Sequence, residues 1–412
     1  MIHKETLPSG LRVVVEEVPQ VHSVAVAVWI GSGSRFETEE IHGVSHFIEH
    51  LLFKGTEKRS AREIAESIDG VGGQLNAFTS REQTCVYAKA LSDHLPLLVD
   101  VIADMLLRSR FETADIDKER QVVIEEINSY QDSPEELVHD LLAQAFWAGH
   151  ALGFNILGTA QSIRSMTREQ ILNYYHQRYI PANTVVGIAG RIKVPEAIDL
   201  VARHFEAAGG ESQAPDSTSP DYLHEIKVTK RSTEQVHLCL GAPGVPFGTS
   251  NYYPVQIVNS VLGGGLSSRL FQRIREQLGL AYSVFSYHSA FRDTGMFGLY
   301  AGTTPNQAGR VHQLLREEIA GLARDGITSA ELARVKEQLT GHLLLGWEDT
   351  ATRASRLGKS ELLTGRTLTL EEILQKIQVV TEDDLSRVTS FLFDRELALA
   401  AIGPIERDVF TS

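Results

Sequence analysis

Two histidines and a glutamate near the start of the chain have a spacing that can bind a metal ion. His46, Glu49 and His50 form the pattern His-x-x-Glu-His. In a helix the two histidines project only about 40° apart, one turn from each other. Two neutral imidazoles so placed can reach one tetrahedral Zn²⁺, and Glu49 beside them can take a proton from metal-bound water. The pattern predicts a zinc site with a general base; the alternative is two surface histidines and a solvated glutamate.

A third ligand is predicted on a helix over residues 113–131. The apolar stripe of this helix consists of Ile116, Val123, Ile127 and Tyr130. Glu119 and Glu126 lie about 60° and 80° to one side of that stripe, whereas Glu125 points about 180° away. Acidic side chains beside a buried face are costly unless they are paired or bind a metal, and two histidines with one glutamate form a known catalytic zinc site. We therefore predict Glu126 as the third ligand of one Zn²⁺ per chain. Glu119 is then an auxiliary carboxylate or, alternatively, a salt-bridge partner of a nearby arginine or lysine.

The elements that must position these residues fall into two similar halves. The first half shows strands near 6–15, 24–30, 74–91 and 184–190 and helices near 43–53, 61–70, 93–108, 113–131, 134–147, 167–178 and 194–207. The second half shows strands at 235–241, 281–288 and 295–303 and helices at 251–262, 305–324 and 328–346. A shift of 216 residues brings Ala114 and Ile116 onto Ala330 and Leu332, which favours a duplication. The order of elements predicts an α+β fold with two similar domains, each a mostly antiparallel sheet packed with helices.

A stretch without periodic apolar residues separates the two halves. Residues 209–222 are rich in Gly, Ser, Pro and Asp, which are typical of turns and linkers. We therefore predict an N-terminal metal-binding domain over 1–208 and a related domain without the metal motif over 223–412. Two such domains would enclose a cleft.

Composition excludes several classes of function. The chain has 412 residues, with 39 Lys and Arg against 53 Asp and Glu, so its formal charge is −14 and it would repel nucleic-acid phosphates. No apolar run approaches the roughly 20 residues of a membrane helix, and the polar start of the chain does not resemble a signal peptide. We expect a folded protein of the cytoplasm that binds neither nucleic acid nor membrane. Its two cysteines, Cys85 and Cys239, are expected to be reduced core residues.

Together these motifs resemble those of the inverted-motif zinc metallopeptidases, the family of pitrilysin, insulysin and the mitochondrial processing peptidase. The resemblance covers nearly the whole chain. It rests on the Gly-Ser-Gly-Ser-Arg-Phe-Glu segment at 31–37, on residues 46–56, and on the 76-residue step from His50 to Glu126. It implies peptide hydrolysis, an architecture in which the two domains make half of a clamshell, and assembly as a homodimer. The chain is most similar to the short bacterial members.

The resemblance also implies roles for residues outside the metal site. Residues 72–80 match the family's edge strand, which binds an extended peptide through backbone hydrogen bonds. The residues that would contact the peptide are Asn76, Ala77, Phe78 and Thr79. Arg275 and Tyr282 match the Arg and Tyr that the distant domain brings over the metal, where they would bind substrate carbonyls and stabilise an oxyanion. The alternatives are an ordinary strand, a surface arginine and a packed tyrosine.

The expected function is that of a zinc-dependent endopeptidase that hydrolyses peptides or unfolded segments in an enclosed chamber. One alternative is a non-catalytic structural or assembly subunit of the same fold, although such subunits typically lose metal-site residues. The other is a processing peptidase for basic presequences. A bacterial or archaeal cytoplasmic peptidase is the prediction.

Overall fold

The computed structural model of the protein describes residues 2–205 and 219–410. The strands lie at β1 Ile2–Thr6, β2 Arg12–Glu17, β3 Ser23–Ile30, β4 Gln74–Thr79, β5 Thr84–Leu91, β6 Thr184–Gly190, β7 Ile226–Lys230, β8 Val236–Pro243, β9 Ala281–Ala290, β10 Gly295–Thr303 and β11 Ala398–Gly403. The α-helices are α1 Val44–Leu52, α2 Ala61–Asp69, α3 Leu95–Arg108, α4 Thr113–Gln131, α5 Pro134–Phe146, α6 Ala160–Ser165, α7 Arg168–Arg178, α8 Val194–Phe205, α9 Tyr252–Leu262, α10 Ala308–Asp325, α11 Ser329–Trp347, α12 Thr350–Thr364, α13 Leu370–Gln378 and α14 Glu382–Phe393. None of the described helices is both long enough and apolar enough to cross a membrane.

The strands form two sheets with the same topology. The order in the first sheet is β1-β2-β6-β3-β5-β4, and in the second it is β7-β11-β8-β10-β9. If β1 is set aside, the five strands of each sheet are arranged in the same way. The first of the five along the chain pairs with the fifth, and the third lies at an edge of the sheet. One pair in each sheet is parallel, β2 with β6 and β7 with β11, and the other pairs are antiparallel. The predicted pair of similar, mostly antiparallel α+β domains is therefore confirmed.

The predicted single strand over 74–91 is wrong. It is two strands, β4 and β5, joined by a turn at residues 80–83, where the Ser80 hydroxyl and backbone hydrogen-bond to Gln83. The turn folds the segment into a hairpin and leaves β4 at the edge of the sheet.

Each face of the first sheet is buried, because alternate residues of its strands point to opposite sides. One face, with Val26 and Val28 of β3, packs in the same core as Phe47 and Ile48 of α1. The other face carries Trp29, in a core with Leu357 of α12. The helix with the His-x-x-Glu-His motif is thus held on one side of the sheet by its own apolar stripe.

The compact units are not simply the two halves of the chain. The first unit contains residues 2–128, 154–205 and Leu343–Thr369, and the second contains Ser129–Gly153, 219–342 and 370–410. The segment with α12 therefore covers the first sheet, and the segment with α5 packs against β8 and β11 of the second sheet. Each unit thus contains one segment from the other half of the chain. A single division at 209–222 does not describe this exchange of segments. Residues 209–218 of the predicted linker lie outside the described residues, and 219–222 have no regular secondary structure.

The exchanged segments are equivalent in the two halves. Helix α11 has the bounds of α4 moved by 216 residues, and α12 begins 216 residues after α5. The exchange is thus reciprocal between corresponding elements, as expected if the two halves arose by duplication.

Candidate metal centre

Helix α1 places both histidines of the motif at one site. Its apolar residues Val44, Phe47, Ile48, Leu51 and Leu52 are buried and orient the helix on the sheet. The two imidazole rings then lie with centroids 4.6 Å apart. The His46 side chain is 9% exposed and the His50 side chain 22%, so both rings sit at the inner side of a partly open site.

Helix α4 brings a carboxylate to these rings. Its buried residues Ile116, Val123, Ile124 and Ile127 fix its rotation. Consequently the Glu126 carboxylate, although 44% exposed, points at the histidines, whereas the exposed Glu125 lies about 100° away around the helix, as the helical spacing predicts. The Glu126 Oε2 atom lies 3.7 Å from His46 Nε2 and 3.5 Å from His50 Nε2.

The donor set of His46, His50 and Glu126 fits zinc. One ligand atom from each residue lies within 4.8 Å of the other two, and no second group of this kind occurs in the part of the chain that the structure describes. Ligands of a tetrahedral Zn²⁺ at about 2.0–2.1 Å stand about 3.4 Å from one another, close to the two distances to Glu126. Two imidazole nitrogens and one carboxylate oxygen are also the ligands of catalytic zinc sites that keep a position open for water or substrate.

Glu119 contacts Nδ1 of His50, the ring nitrogen that does not face Glu126. The residue is 6% exposed; its Oε2 atom lies 3.2 Å from His50 Nδ1, and its Oε1 atom lies 2.7 Å from Lys54 Nζ. A carboxylate on Nδ1 fixes the ring and leaves Nε2 directed at the metal position. The salt bridge that was the alternative for Glu119 is therefore present, together with a contact to His50 that is compatible with an auxiliary role.

Glu49 lies between the two histidines along α1 and is held by a hydroxyl from the sheet. Thr79 Oγ1 of β4 donates to Glu49 Oε2 at 2.6 Å. Burial raises the pKa of Glu49 above its usual value, while the hydrogen bond from Thr79 lowers it. A carboxylate with a raised pKa beside a metal position is suited to accept and return a proton.

The electrostatics of the three candidate ligands favour metal binding. Burial, together with the charge of His50, lowers the pKa of His46 to about 4, so His46 is neutral at pH 7. The hydrogen bond with His50 lowers the pKa of Glu126, which is therefore ionised. Burial opposes protonation of His50, but hydrogen bonds with Glu126 and Glu119 outweigh it and raise its pKa. Because a bound cation repels that proton, binding of a metal would release it.

The residues implied by the family resemblance lie in both units. Asn76, Ala77, Phe78 and Thr79 are in β4 at the edge of the first sheet. Arg275 and Tyr282 belong to the second unit, where the Arg275 guanidinium lies 4.6 Å from the centroid of the Tyr282 ring. The Tyr282 side chain is 77% exposed and therefore not a packed core tyrosine.

Sequence reasoning missed two contacts at this site. The sequence patterns assign no role to Lys54, although it follows His50 by four residues, about one helical turn, and could have been placed on the same face. Thr79 was expected only to contact substrate. Its bond to Glu49 joins residues 30 positions apart, and no local pattern predicts such a contact.

Comparisons with known proteins identify one family of peptidases. Residues 12–160 match the family model described as Insulinase (Peptidase family M16), and residues 165–339 match the model described as Peptidase M16 inactive domain. The chain is 46% identical to the uncharacterized zinc protease YmxG of Bacillus subtilis, with 98% of each chain covered. It is 40% identical to an uncharacterized zinc protease of Streptomyces coelicolor, over 98% of this chain and 90% of the relative.

A solved structure shares the fold. The crystal structure of a protease from Helicobacter pylori superposes with a TM-score of 0.92 at 23% identity, over 98% of this chain and 99% of that chain. The two family models together cover most of the sequence, and the relatives match it over almost its full length. The chain therefore belongs to peptidase family M16, the insulinase family.

Proposed function

We propose that the protein is a zinc-dependent endopeptidase that hydrolyses peptides or unfolded segments. The observation that carries the proposal is the convergence of His46, His50 and Glu126 on one position, with Glu49 beside them. The zinc protease names of the relatives support the same chemistry.

His46, His50 and Glu126 would hold the zinc ion, with Glu119 orienting His50. When bound, the zinc supplies Lewis acidity, which lowers the pKa of water and polarises a carbonyl. Glu49 accepts a proton from the attacking water and returns it to the leaving amine, and its raised pKa suits both transfers. Thr79 holds one oxygen of Glu49, so the other is available for that proton.

Substrate binding is proposed along β4, whose outer edge has no neighbouring strand among the described residues. An extended peptide would pair with Asn76, Ala77, Phe78 and Thr79 as an additional strand. We assign the binding of substrate carbonyls to Arg275 and Tyr282, on the basis of the family resemblance and of the exposure of Tyr282.

Cleavage inside an enclosed chamber, a homodimer and a cytoplasmic location remain predictions. Light scattering on the purified protein checks the dimer.

The experiment compares the wild type with Glu49→Gln. We expect about one zinc per chain in both proteins, and peptide cleavage only in the wild type, because the amide cannot accept the proton. Zinc is measured by elemental analysis and cleavage with a mixed peptide library whose cut sites are read by mass spectrometry. Activity retained by Glu49→Gln would exclude Glu49 as the base, and a folded wild type that binds no zinc would favour a structural subunit.

A matched pair on α4 tests the third ligand. Glu126→Gln should weaken zinc binding by at least about 100-fold, since a charged ligand is lost, whereas Glu125→Gln removes an equal charge from the outer face and should bind zinc like the wild type. Equal zinc affinity of the two variants would contradict the assignment of Glu126.

A further inference from the structure

A short segment between β3 and α1 contacts two parts of the site at once. We call residues 31–37 the brace. Near its start, Gly33 lies against the β4–β5 turn so closely that a Cβ atom there would be 2.3 Å from the Ser80 carbonyl oxygen. The Arg35 backbone N–H donates to the Arg81 carbonyl at 2.8 Å. The backbone of the brace therefore follows the backbone of the turn.

A buried ion pair fastens the brace to that turn. Arg35 Nη1 lies 2.6 Å from Glu82 Oε1, and each residue is 5% exposed. Separation of the pair would remove an attraction between two opposite charges that burial shields from water, so the pair resists separation. Glu82 is in the turn that follows β4, the strand that carries Thr79. This end of the brace is thereby tied to the proposed substrate strand.

At the other end of the brace, Glu37 hydrogen-bonds to the start of α1, the helix that carries His46 and His50. The residue is 5% exposed. Its carboxylate accepts the Gly43 N–H at 2.7 Å through Oε2 and the Ser45 N–H at 2.9 Å through Oε1. These donors belong to the start of α1, where backbone N–H groups have no partner inside the helix. Glu37 forms no salt bridge within the described residues, so the positive end of the helix dipole and these donors are its electrostatic complement.

Tyr174 of α7 closes the network. Its hydroxyl lies 2.8 Å from Ser45 Oγ and donates to the Gly33 carbonyl at 3.4 Å. The first turn of α1 thus has two connections to the brace, and the ligand His46 is the next residue after Ser45.

We propose that Glu37 is a positioning residue of the metal centre, which holds the first turn of α1, and with it the histidine ligands, in a fixed relation to β4. This inference rests on the metallopeptidase function proposed above. Glu37 contacts neither ligand, and it acts through the backbone of the helix that carries them. In the ionised carboxylate, the form that predominates at pH 8, both oxygens are acceptors, as the two N–H contacts require. Glutamine at this position would present an amide N–H₂ group to a backbone N–H donor, and aspartate would be one methylene too short to reach both donors.

The test compares Glu37→Gln and Glu37→Asp with Glu40→Gln, which changes an exposed glutamate three residues later. The dissociation constant for zinc is measured at pH 8 by competition with a chelator, with circular dichroism as a check of folding. We expect Glu37→Gln to bind zinc about ten-fold or more weakly, with a smaller loss in Glu37→Asp and none in Glu40→Gln. In peptide cleavage, kcat should fall while KM stays unchanged, because β4 is intact.

The outcomes separate this inference from the proposed function. A wild type that binds zinc but cleaves no peptide would refute the peptidase, and the zinc affinities would still decide the role of Glu37. A folded Glu37→Gln protein with the zinc affinity and kcat of the wild type would overturn the inference. If Glu37→Gln does not fold, Glu37→Asp decides: weaker zinc binding supports positioning, and wild-type binding overturns it.

Discussion

At the scale of single residues, the general base depends on one hydroxyl from the sheet. Thr79 Oγ1 donates to Glu49 Oε2 at 2.6 Å and so orients the carboxylate. Thr79→Val keeps the shape but removes the donor, and we expect kcat to fall about ten-fold, the equivalent of about 1.4 kcal/mol, with zinc content and KM unchanged. Thr79→Ser retains the donor and serves as the control. Steady-state kinetics measure the effect, and wild-type kcat in Thr79→Val would show that the bond does not matter.

Glu37 should also make stability depend on pH. Burial raises its pKa from 4.5 to about 7, against the opposing effect of its backbone hydrogen bonds. Because the pKa is higher in the folded state, the stabilisation is full below pH 4.5 and is lost as pH rises through about 7. Between pH 5 and pH 8 the free energy of unfolding should fall by about 2–3 kcal/mol from this group. Chemical denaturation with a chelator present, compared between the wild type and Glu37→Gln, isolates this contribution. The same pH slope in both proteins would contradict it.

At the scale of elements, the contact of α12 with the first sheet depends on glycine. A Cβ atom at Gly358 would lie 2.3 Å from Trp29 Cδ1, whereas one at Gly341 of α11 would meet nothing within 4 Å. Alanine has the higher helix propensity, so Gly341→Ala should stabilise the protein by about 0.5–1 kcal/mol. Gly358→Ala should instead destabilise it by about 1–3 kcal/mol through overpacking. Thermal or urea unfolding measures both. A stabilised Gly358→Ala protein would mean that α12 is not packed tightly on Trp29.

At the scale of the whole molecule, the reciprocal exchange ties the two halves of the chain to each other's folding. Without α12, a fragment of residues 1–208 would expose the face of the first sheet that carries Trp29, Val185 and Ala189. We expect this fragment to aggregate or to bind a hydrophobic dye, because that face loses its cover. Co-expression with a segment of residues 343–369 should increase its solubility. A soluble, cooperatively unfolding fragment 1–208 would show that α12 is dispensable for the first unit.

The sequence alone determined the parts of the site that depend on spacing within one helix. The two histidines and Glu49 share a face of α1, and Glu126 rather than Glu125 faces them, because the rotation of each helix follows from its own apolar stripe. The paired α+β domains followed from the order of strands and helices.

Only the tertiary structure decided which distant elements meet. The apolar face of a helix does not identify the sheet against which it packs. The placement of α12 on the first sheet and of α5 on the second therefore could not be derived from the sequence pattern of either helix. The turn at 80–83 placed β4 at the edge, and that placement brought Thr79 to Glu49. The same folding buried Glu37 at the start of α1. These contacts arise from the packing of whole elements. The local periodicity of a sequence shows which face of an element is apolar, but not which other element that face contacts.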